Sequence, residues 1–190
     1  MGDEAELSEV ATRAIEAYGD EVFGFLIHQL GNEADAAEVF GQMAEDLWKG
    51  LPAFGGRCSI RTWMYVLARH AASRFRRSPW NHRGRRTGDS KLDEAIARQR
   101  TRTQPWQRTD VKDRFAALRE ALDPDDRTLL VLRVDRAMPW QDIARVTLGV
   151  DEPEARTLKR ETDRLMKRFQ LLKEQLRRRA QEMGILGQYS

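Results

Sequence analysis

Apolar positions recur every three or four residues along much of the chain, which is the spacing of one face of an α-helix. Three such stripes fill the first part of the sequence, over about residues 8–30, 33–51 and 60–77. Gly31-Asn32 and Pro52 separate them, and both are typical helix breakers. A clean period-two run or an Asn-Gly hairpin turn, which would indicate strands, does not occur in the sequence. The pattern therefore predicts an all-α protein.

Each stripe predicts which side chains face a core. Ser59 is expected to cap the third helix, because a serine hydroxyl accepts from the free N–H groups of a first turn. The inward positions are Ala11, Ala14, Tyr18, Val22, Phe25 and Leu26 in the first helix, Ala36, Val39, Phe40, Met43 and Leu47 with Trp48 at the edge in the second, and Ile60, Trp63, Met64, Leu67, Ala71 and Phe75 in the third.

Helical periodicity stops after residue 77 and returns at about residue 110. Pro, Gly, Ser, Thr and seven arginines occupy the stretch between residues 83 and 108. This composition predicts a basic, flexible linker over 78–109 with one short helix near 91–99. We expect two small helical domains, 1–77 and 110–190, on either side of it.

The second domain is predicted to contain four helices. The first spans about residues 110–122, and Asp123-Pro124 then supplies an N-cap and a proline in the first turn of the next. Pro139 precedes a short helix, WQDIARVTL. The residues 151–154 suggest a capping box at the start of a long last helix, which Gly184 ends. Its inward positions are Ala155, Leu158, Thr162, Leu165, Phe169, Leu172 and Leu176.

The short helix, a turn containing Gly149 and the long basic helix form a helix-turn-helix pattern. The second helix of such a unit enters the DNA major groove, where Arg and Lys reach guanine edges and phosphates. The alternative is that this basic face only contacts solvent and binds no partner. The candidate contacts are Arg156, Lys159, Arg160, Arg164, Lys167 and Arg168.

Composition narrows the class of protein. The 190 residues are 41% hydrophobic and 33% charged, as in a globular protein. No apolar run approaches the ~20 residues of a membrane span, and the acidic N-terminus lacks the order of a signal peptide. The single Cys58 excludes a disulfide framework within the chain. We therefore expect a cytoplasmic protein without membrane insertion.

The charge is segregated along the sequence although the net charge is only +3. Residues 1–56 hold 2 basic and 12 acidic side chains, a net of −10, whereas residues 57–108 hold 14 and 3, a net of +11. Residues 109–190 hold 17 and 15, a net of +2. This distribution favours an acidic surface for one partner and basic surfaces for a polyanion.

The stretch FGGRCSIRTWMYVLARHAASRFRR, residues 54–77, joins a Gly-Gly loop to aromatic rings and six arginines. Trp63 and Tyr65 lie two apart and point to different faces of a helix, so we expect at least one ring outside the core. Exposed rings stack on unpaired bases while guanidinium groups hold phosphates, and a glycine loop admits a base turned out of its stack. The alternative is that Trp63 is core and the arginines only keep the surface soluble.

The sequence gives little indication of a catalytic site. His28, His70 and His82 are far apart, and Cys58 is expected to pack a loop. Asp123 and its acidic neighbours are explained by a helix cap and first turn rather than by a metal. A phosphate-binding glycine motif does not occur. The sequence therefore favours a binding protein over an enzyme and predicts no cofactor or metal.

The same stretch resembles region two of bacterial RNA polymerase sigma factors of the extracytoplasmic-function subgroup. The match is carried by Phe54, Ser59, Thr62, Trp63, Tyr65, Ala68, Arg69, Arg76 and Arg77. Upstream, DAAEVFGQMAEDLWKGLPAF is similar to the polymerase-binding helix of that family. Downstream, LDPDDRTLLVLR, WQDIARVTLG and KRFQLLKEQLRRRAQEMGIL resemble parts of region four. Three positions depart from the usual residues of the family, namely Ala37, Gly41 and His70.

The resemblance implies core RNA polymerase and promoter DNA as partners, and leaves open an anti-sigma factor or another regulator. It implies that Asp35, Glu38 and Trp48 bind the polymerase. Region four would read the minus-35 element, and the linker would thread into the polymerase channel. The loop of residues 55–59 would receive a flipped base of the minus-ten element. The implied minus-ten contacts are Gly55, Gly56, Arg57, Ser59, Arg61, Thr62, Trp63, Tyr65, Arg69, His70, Arg74, Arg76 and Arg77.

Two other functions stay open from the sequence. The chain could be a two-domain helix-turn-helix regulator that binds duplex DNA without polymerase, or an RNA-binding adaptor. A sigma factor would associate with core polymerase, and neither of these two alternatives would.

Overall fold

The computed structural model describes residues 2–78, 117–119 and 121–184, with side chains from residue 6 onward. Every regular element within these ranges is helical, which confirms the all-α prediction for them. The first part contains α1 (Gly2–Leu30), α2 (Glu33–Gly50), a single 3₁₀ turn (Leu51–Ala53) and α3 (Ile60–Arg77). The predicted linker and its short helix near 91–99 lie outside the described residues.

The second part contains α4 (Pro124–Leu130), one π-helical turn (Val131–Asp135), α5 (Trp140–Leu148) and α6 (Ala155–Glu182). Residues 117–119 are helical as well, and the rest of the helix predicted before residue 120 lies outside the described ranges.

Local side-chain chemistry sets the helix starts. Asn32 accepts from the backbone N–H of Asp35 (2.8 Å) at the start of α2, directly after Gly31 turns the chain at φ +84°. The Ser59 hydroxyl accepts from the N–H of Thr62 (3.1 Å) and begins α3, which confirms the predicted cap. Asp123 caps α4 in the same way. Gly149, at φ +69°, ends α5 in the left-handed conformation that glycine tolerates best.

The start of α6 differs from the sequence prediction. Glu154 occupies the N-cap position without a side-chain bond to the first turn, so the predicted capping box is wrong. The side chain of Asp151 accepts from the neighbouring N–H of Glu152 instead (3.1 Å). Pro153 precedes the helix, and the connection from α5 spans residues 149–154.

Helix α3 lies at the centre of the core. It packs against α1 and α2 on one side and against α5 on the other. The predicted inward stripes of α1 and α2 are largely buried, but Trp48 is 44% exposed and does not belong to the core. Covered on two sides, α3 buries more residues than its single predicted stripe. They are Thr62, Trp63, Met64, Tyr65, Val66, Ala68, Ala71, Ala72 and Phe75.

The two parts of the chain share one hydrophobic core. Buried residues of the second part join those of α1–α3 in a single cluster, and α4 contacts α1. The members from the second part are Leu129, Leu132, Met138, Ile143, Ala144, Val146 and Leu165. A smaller cluster is formed by Leu122, Leu130 and Leu172.

Candidate nucleic-acid interface

The loop of residues 54–59 joins the end of α2 to the start of α3 and is fixed at both ends. Phe54 stacks on Trp63 with ring centroids 4.5 Å apart and planes 19° from parallel. At the other end, Ser59 caps α3. Gly55 and Gly56 between these anchors are exposed, and Gly56 has φ +68°. The loop therefore exposes its glycine backbone while both of its ends are held in place.

Neither ring of α3 is exposed, so the expectation that at least one lies outside the core is wrong. Trp63 is 6% exposed beneath Phe54, and Tyr65 is fully buried with its ring 5.1 Å from that of Phe25. Burial, and then the charge of Glu21, raise the pKa of Tyr65 to about 12. Because helices cover α3 from both sides, two positions that point in different directions both reach the interior. Trp63 supports the loop by stacking on Phe54, whereas Tyr65 packs against α1.

Arg61 of α3 is bonded to two other segments of the structure. Its guanidinium donates to both carboxylate oxygens of Glu21 (2.5 and 3.0 Å) and to the backbone carbonyl of Arg136 (2.9 Å). The hydrogen bond that Arg61 donates to Glu21 raises the pKa of Arg61. Arg61 therefore joins α3 to α1 and to the segment after the π-helical turn, a role that the sequence does not indicate.

The other predicted minus-ten contacts divide between surface and interior. Thr62 is buried and shares a 2.8 Å hydrogen bond with Ser59. The last turns of α3 carry exposed arginines, of which Arg74 pairs with Asp46 and Arg76 donates to Gln29 (3.2 Å). Arg77 donates to its own helix at the carbonyl of Ser73 (3.2 Å).

Besides Arg61, three more predicted contacts face the second part of the chain. Arg57 forms an ion pair with Glu152. His70 donates from Nε2 to the carbonyl oxygen of Gly149 (2.5 Å). Arg69 lines a cavity of about 250 Å³ whose other walls come from α4, the π-helical turn, α5 and α6.

The predicted polymerase-binding residues lie on the outer face of α2. Asp35 is half-buried and accepts from the side chain of Asn32 (2.7 Å), whereas Glu38 and Trp48 are exposed. This face thus combines acidic groups with an exposed indole.

The basic residues of α6 divide into an outer and an inner group. Arg156, Lys159, Arg160 and Lys167 are exposed and line one surface depression with Arg164. In contrast, Arg168 faces α4, where it bonds to Asp126 (2.5 Å) and Asp123 (3.1 Å). The hydrogen bond that Arg168 donates to Asp126 raises the pKa of Arg168.

Two of the outer cations are also engaged within the helix. Lys159 pairs with Asp163 (3.0 Å), and Arg164 pairs with Glu161 (2.6 Å). The Lys159–Asp163 pair is exposed, and a phosphate can replace it at small cost. The Glu161 side chain of the other pair is only 13% exposed, so Arg164 is held more firmly.

Sequence reasoning missed Glu21, Glu152 and Arg136 as partners of the candidate site. Glu21 lies 40 positions before Arg61, and Arg136 lies 75 positions after it. Residues so distant have no periodic relation to one another. Only the packing of α3 between α1 and the second part brings them together.

Other chemistry in the described ranges is limited. Cys58 is half-buried against the core, as expected of a loop-packing residue, and its pKa is raised by burial. Among the described residues, no group of three or more His, Cys, Asp and Glu side chains is placed to hold a metal ion. The described helices include none that is both long and apolar enough to cross a membrane.

Comparison with known families gives one match, and it falls on the loop and the helices around it. Residues 14–82 match the family model for Sigma-70 region 2. This range begins within α1 and includes α2, the loop of residues 54–59 and α3. No curated protein matches the chain. The match shows that residues 14–82 are similar to region 2 of sigma-70 factors.

Proposed function

We propose that this chain is a sigma factor that binds core RNA polymerase and directs promoter recognition, DNA melting and the start of transcription. The observation that carries the proposal is the match of residues 14–82 to Sigma-70 region 2. It coincides with a three-helix unit that holds an exposed glycine loop between a stacked Phe54–Trp63 pair and the cap of α3. We assign the chain to the extracytoplasmic-function subgroup and its second part to region four.

Each proposed partner is assigned to a different surface of the chain. The acidic outer face of α2 binds core polymerase through Asp35, Glu38 and Trp48. The loop at Gly55 and Gly56 receives an unpaired base, and arginines near the end of α3 hold phosphates. The outer basic group of α6 enters the major groove of the minus-35 element, where cations contribute most of the affinity for DNA.

Polymerase binding is tested by reversing charge on α2. Asp35→Arg with Glu38→Arg should abolish co-purification of core polymerase from a bacterial host, because losing one side of an interfacial charge pair costs roughly 2–5 kcal/mol. The matched control is Glu16→Arg with Asp20→Arg, which changes the net charge equally on exposed positions of α1. If both variants retain polymerase equally, α2 is not the contact, and if the wild type brings down none, the chain is not a sigma factor.

Melting is tested at Gly55. The atoms nearest to an added Cβ there belong to the side chain of Arg57, the first at 3.3 Å, whereas Gly56 needs its positive φ and Ser59 caps α3. Gly55→Leu therefore fills the loop with little cost to the fold. We expect it to bind polymerase but to fail to open linear promoter DNA, with activity restored on a template pre-melted over the minus-ten element. Wild-type permanganate reactivity of promoter thymines in this variant would contradict a base-binding loop.

A further inference from the structure

The outer basic group of α6 surrounds an acidic side chain. Asp163 lines the same surface depression as Arg156, Lys159, Arg160 and Lys167. Its side chain is 53% exposed and pairs with the ammonium group of Lys159 at 3.0 Å. A surface that only holds DNA phosphates is weakened by a carboxylate, because that group repels the negatively charged backbone. Asp163 is therefore suited to a contact other than phosphate.

Helix geometry places Asp163 in the middle of this surface. The buried Leu172 lies nine positions further along α6. That separation is about two and a half turns at 3.6 residues per turn, so the two side chains lie on opposite sides of the helix. Lys159 and Lys167 lie about one turn before and one turn after Asp163, on the same side. When a helix enters the major groove, the middle of its outward side is nearest the base edges. Asp163 is therefore placed to contact bases.

The pair of Lys159 and Asp163 presents a donor beside an acceptor. The ammonium has only N–H donors, and the carboxylate has only acceptor oxygens. A C·G base pair displays the complementary pattern in the major groove, with the N4 amino group of cytosine next to the O6 and N7 acceptors of guanine. N4 and O6 are hydrogen-bonded to each other and lie about 2.9 Å apart. The two side chains, 3.0 Å apart, can thus bind one base pair together.

The other base pairs fit these two charges less well. An A·T pair also has a donor beside an acceptor, but the N7 acceptor of adenine lies next to its N6 amino group and would repel the carboxylate. The reversed G·C and T·A pairs place an acceptor opposite Asp163 and a donor opposite Lys159. A phosphate would satisfy Lys159 alone and leave Asp163 facing a second anion. The C·G pair is the one that satisfies both side chains.

We propose that Lys159 and Asp163 together read one C·G base pair of the minus-35 element, and that Asp163 determines the specificity at this position. The Asp163 carboxylate accepts from N4 of cytosine, and the Lys159 ammonium donates to O6 and N7 of guanine. The inference rests on the proposed function for the placing of α6 in the major groove. It adds the base pair that is read and the residue that selects it.

Asp163→Asn is expected to change the preferred base pair and not only the affinity. A side-chain amide accepts from N6 and donates to N7 of adenine, so the variant should prefer adenine where the wild type prefers cytosine. A good contact of this kind discriminates by about 5- to 150-fold against the wrong base pair. The matched control is Glu154→Gln, which makes the same change from carboxylate to amide in the same depression, at the N-cap before the first turn of α6. It should keep the preference for cytosine.

The experiment selects sites from duplex DNA of random sequence with core polymerase reconstituted with each full chain. The wild type and Glu154→Gln should enrich an upstream element with cytosine at one fixed position, and Asp163→Asn should enrich adenine there. An identical element for all three chains would overturn the inference. A uniform gain in the affinity of Asp163→Asn without a changed base would do the same, because a plain surface ion pair predicts that result. Failure of all three chains to associate with core polymerase would instead contradict the proposed function.

A second measurement tests the contact at a single atom of the DNA. N4-methylcytosine keeps its pairing with guanine but carries a methyl group in place of the major-groove N–H of N4. At the selected position it should weaken binding by the wild-type chain with core polymerase by at least about fivefold. Asp163→Ala, a change at an exposed position, should bind the methylated and unmethylated duplexes equally. An equal loss for wild type and variant would contradict the contact.

Discussion

The ion pair between Arg61 and Glu21 is expected to stabilise the fold strongly, although Arg61 lies in a stretch that resembles a DNA-binding surface. Their side chains are only 25% and 19% exposed, and two hydrogen bonds join them. Removing one partner leaves a poorly solvated charge, which costs more than the loss of an exposed pair. A hydrogen bond to a charged group contributes about 1.5–3 kcal/mol. Because both side chains are still partly solvated, we expect a coupling free energy of roughly 2 kcal/mol for the pair as a whole.

A double-mutant cycle measures this coupling directly. The four chains are the wild type, Arg61→Met, Glu21→Gln and the double variant, with free energies of unfolding taken from urea titrations followed by circular dichroism. Each single variant should lower the thermal midpoint by about 4–8 °C, the shift expected for ~2 kcal/mol in a chain of this size. The double variant should lose less than the sum of the two.

The pair Lys49–Glu45 supplies the control cycle. Both of its side chains are 70% exposed, and the residues lie one turn apart on α2. Its coupling, measured with Lys49→Met and Glu45→Gln, should be about 0.3–0.5 kcal/mol. If the Arg61–Glu21 coupling is no larger than this, the partial burial of the pair does not matter energetically and our account of α3 is wrong.

Three further predictions follow from single residues. Trp63→Ala should lose about 3–5 kcal/mol of unfolding free energy, because the ring is buried beneath Phe54; a loss below 1 kcal/mol would contradict that packing. Lys167→Gln should reduce the slope of log affinity for promoter duplex against log salt by about 0.9. Arg168→Gln should instead mainly lower the unfolding midpoint. The opposite pattern would mean that Arg168 contacts DNA and Lys167 stabilises the fold. Partial desolvation of the ring, and then the charge of Arg127, lower the pKa of His28 below its ordinary 6.5. The unfolded chain then binds more protons just below pH 6.5, so stability is full above that pH and falls as the pH drops through the lowered pKa; His28→Gln should flatten this dependence, and an unchanged pH profile would refute it.

The helices themselves were largely predictable from the sequence because their signals are local. Asn32 and Asp123 stand where a cap is needed, and the predicted start of α3 after Ser59 is confirmed. The inward stripe of α1 follows a spacing that depends only on helix geometry. The polymerase and DNA contacts stay predictions, and their residues now have defined positions on these helices.

The environment of α3 was not predictable in the same way. A single stripe of apolar positions predicts one buried face of a helix. Other helices cover α3 on two faces, so Trp63 and Tyr65 are both buried. The opposite error occurs at Trp48, a large apolar residue next to an inward stripe that is nevertheless exposed. Burial of this kind depends on how distant segments pack, and periodicity within one helix carries no information about it.

The most direct test of the central claim is runoff transcription with purified core RNA polymerase on a library of linear genomic fragments. If the chain is a sigma factor, discrete transcripts will appear only when the protein is added, and their start sites will share elements at fixed upstream distances. Transcripts should disappear with Asp35→Arg and Glu38→Arg and persist with Glu16→Arg and Asp20→Arg. A wild-type chain that binds these fragments but adds no transcript to the core enzyme would contradict the account and favour a duplex-binding regulator.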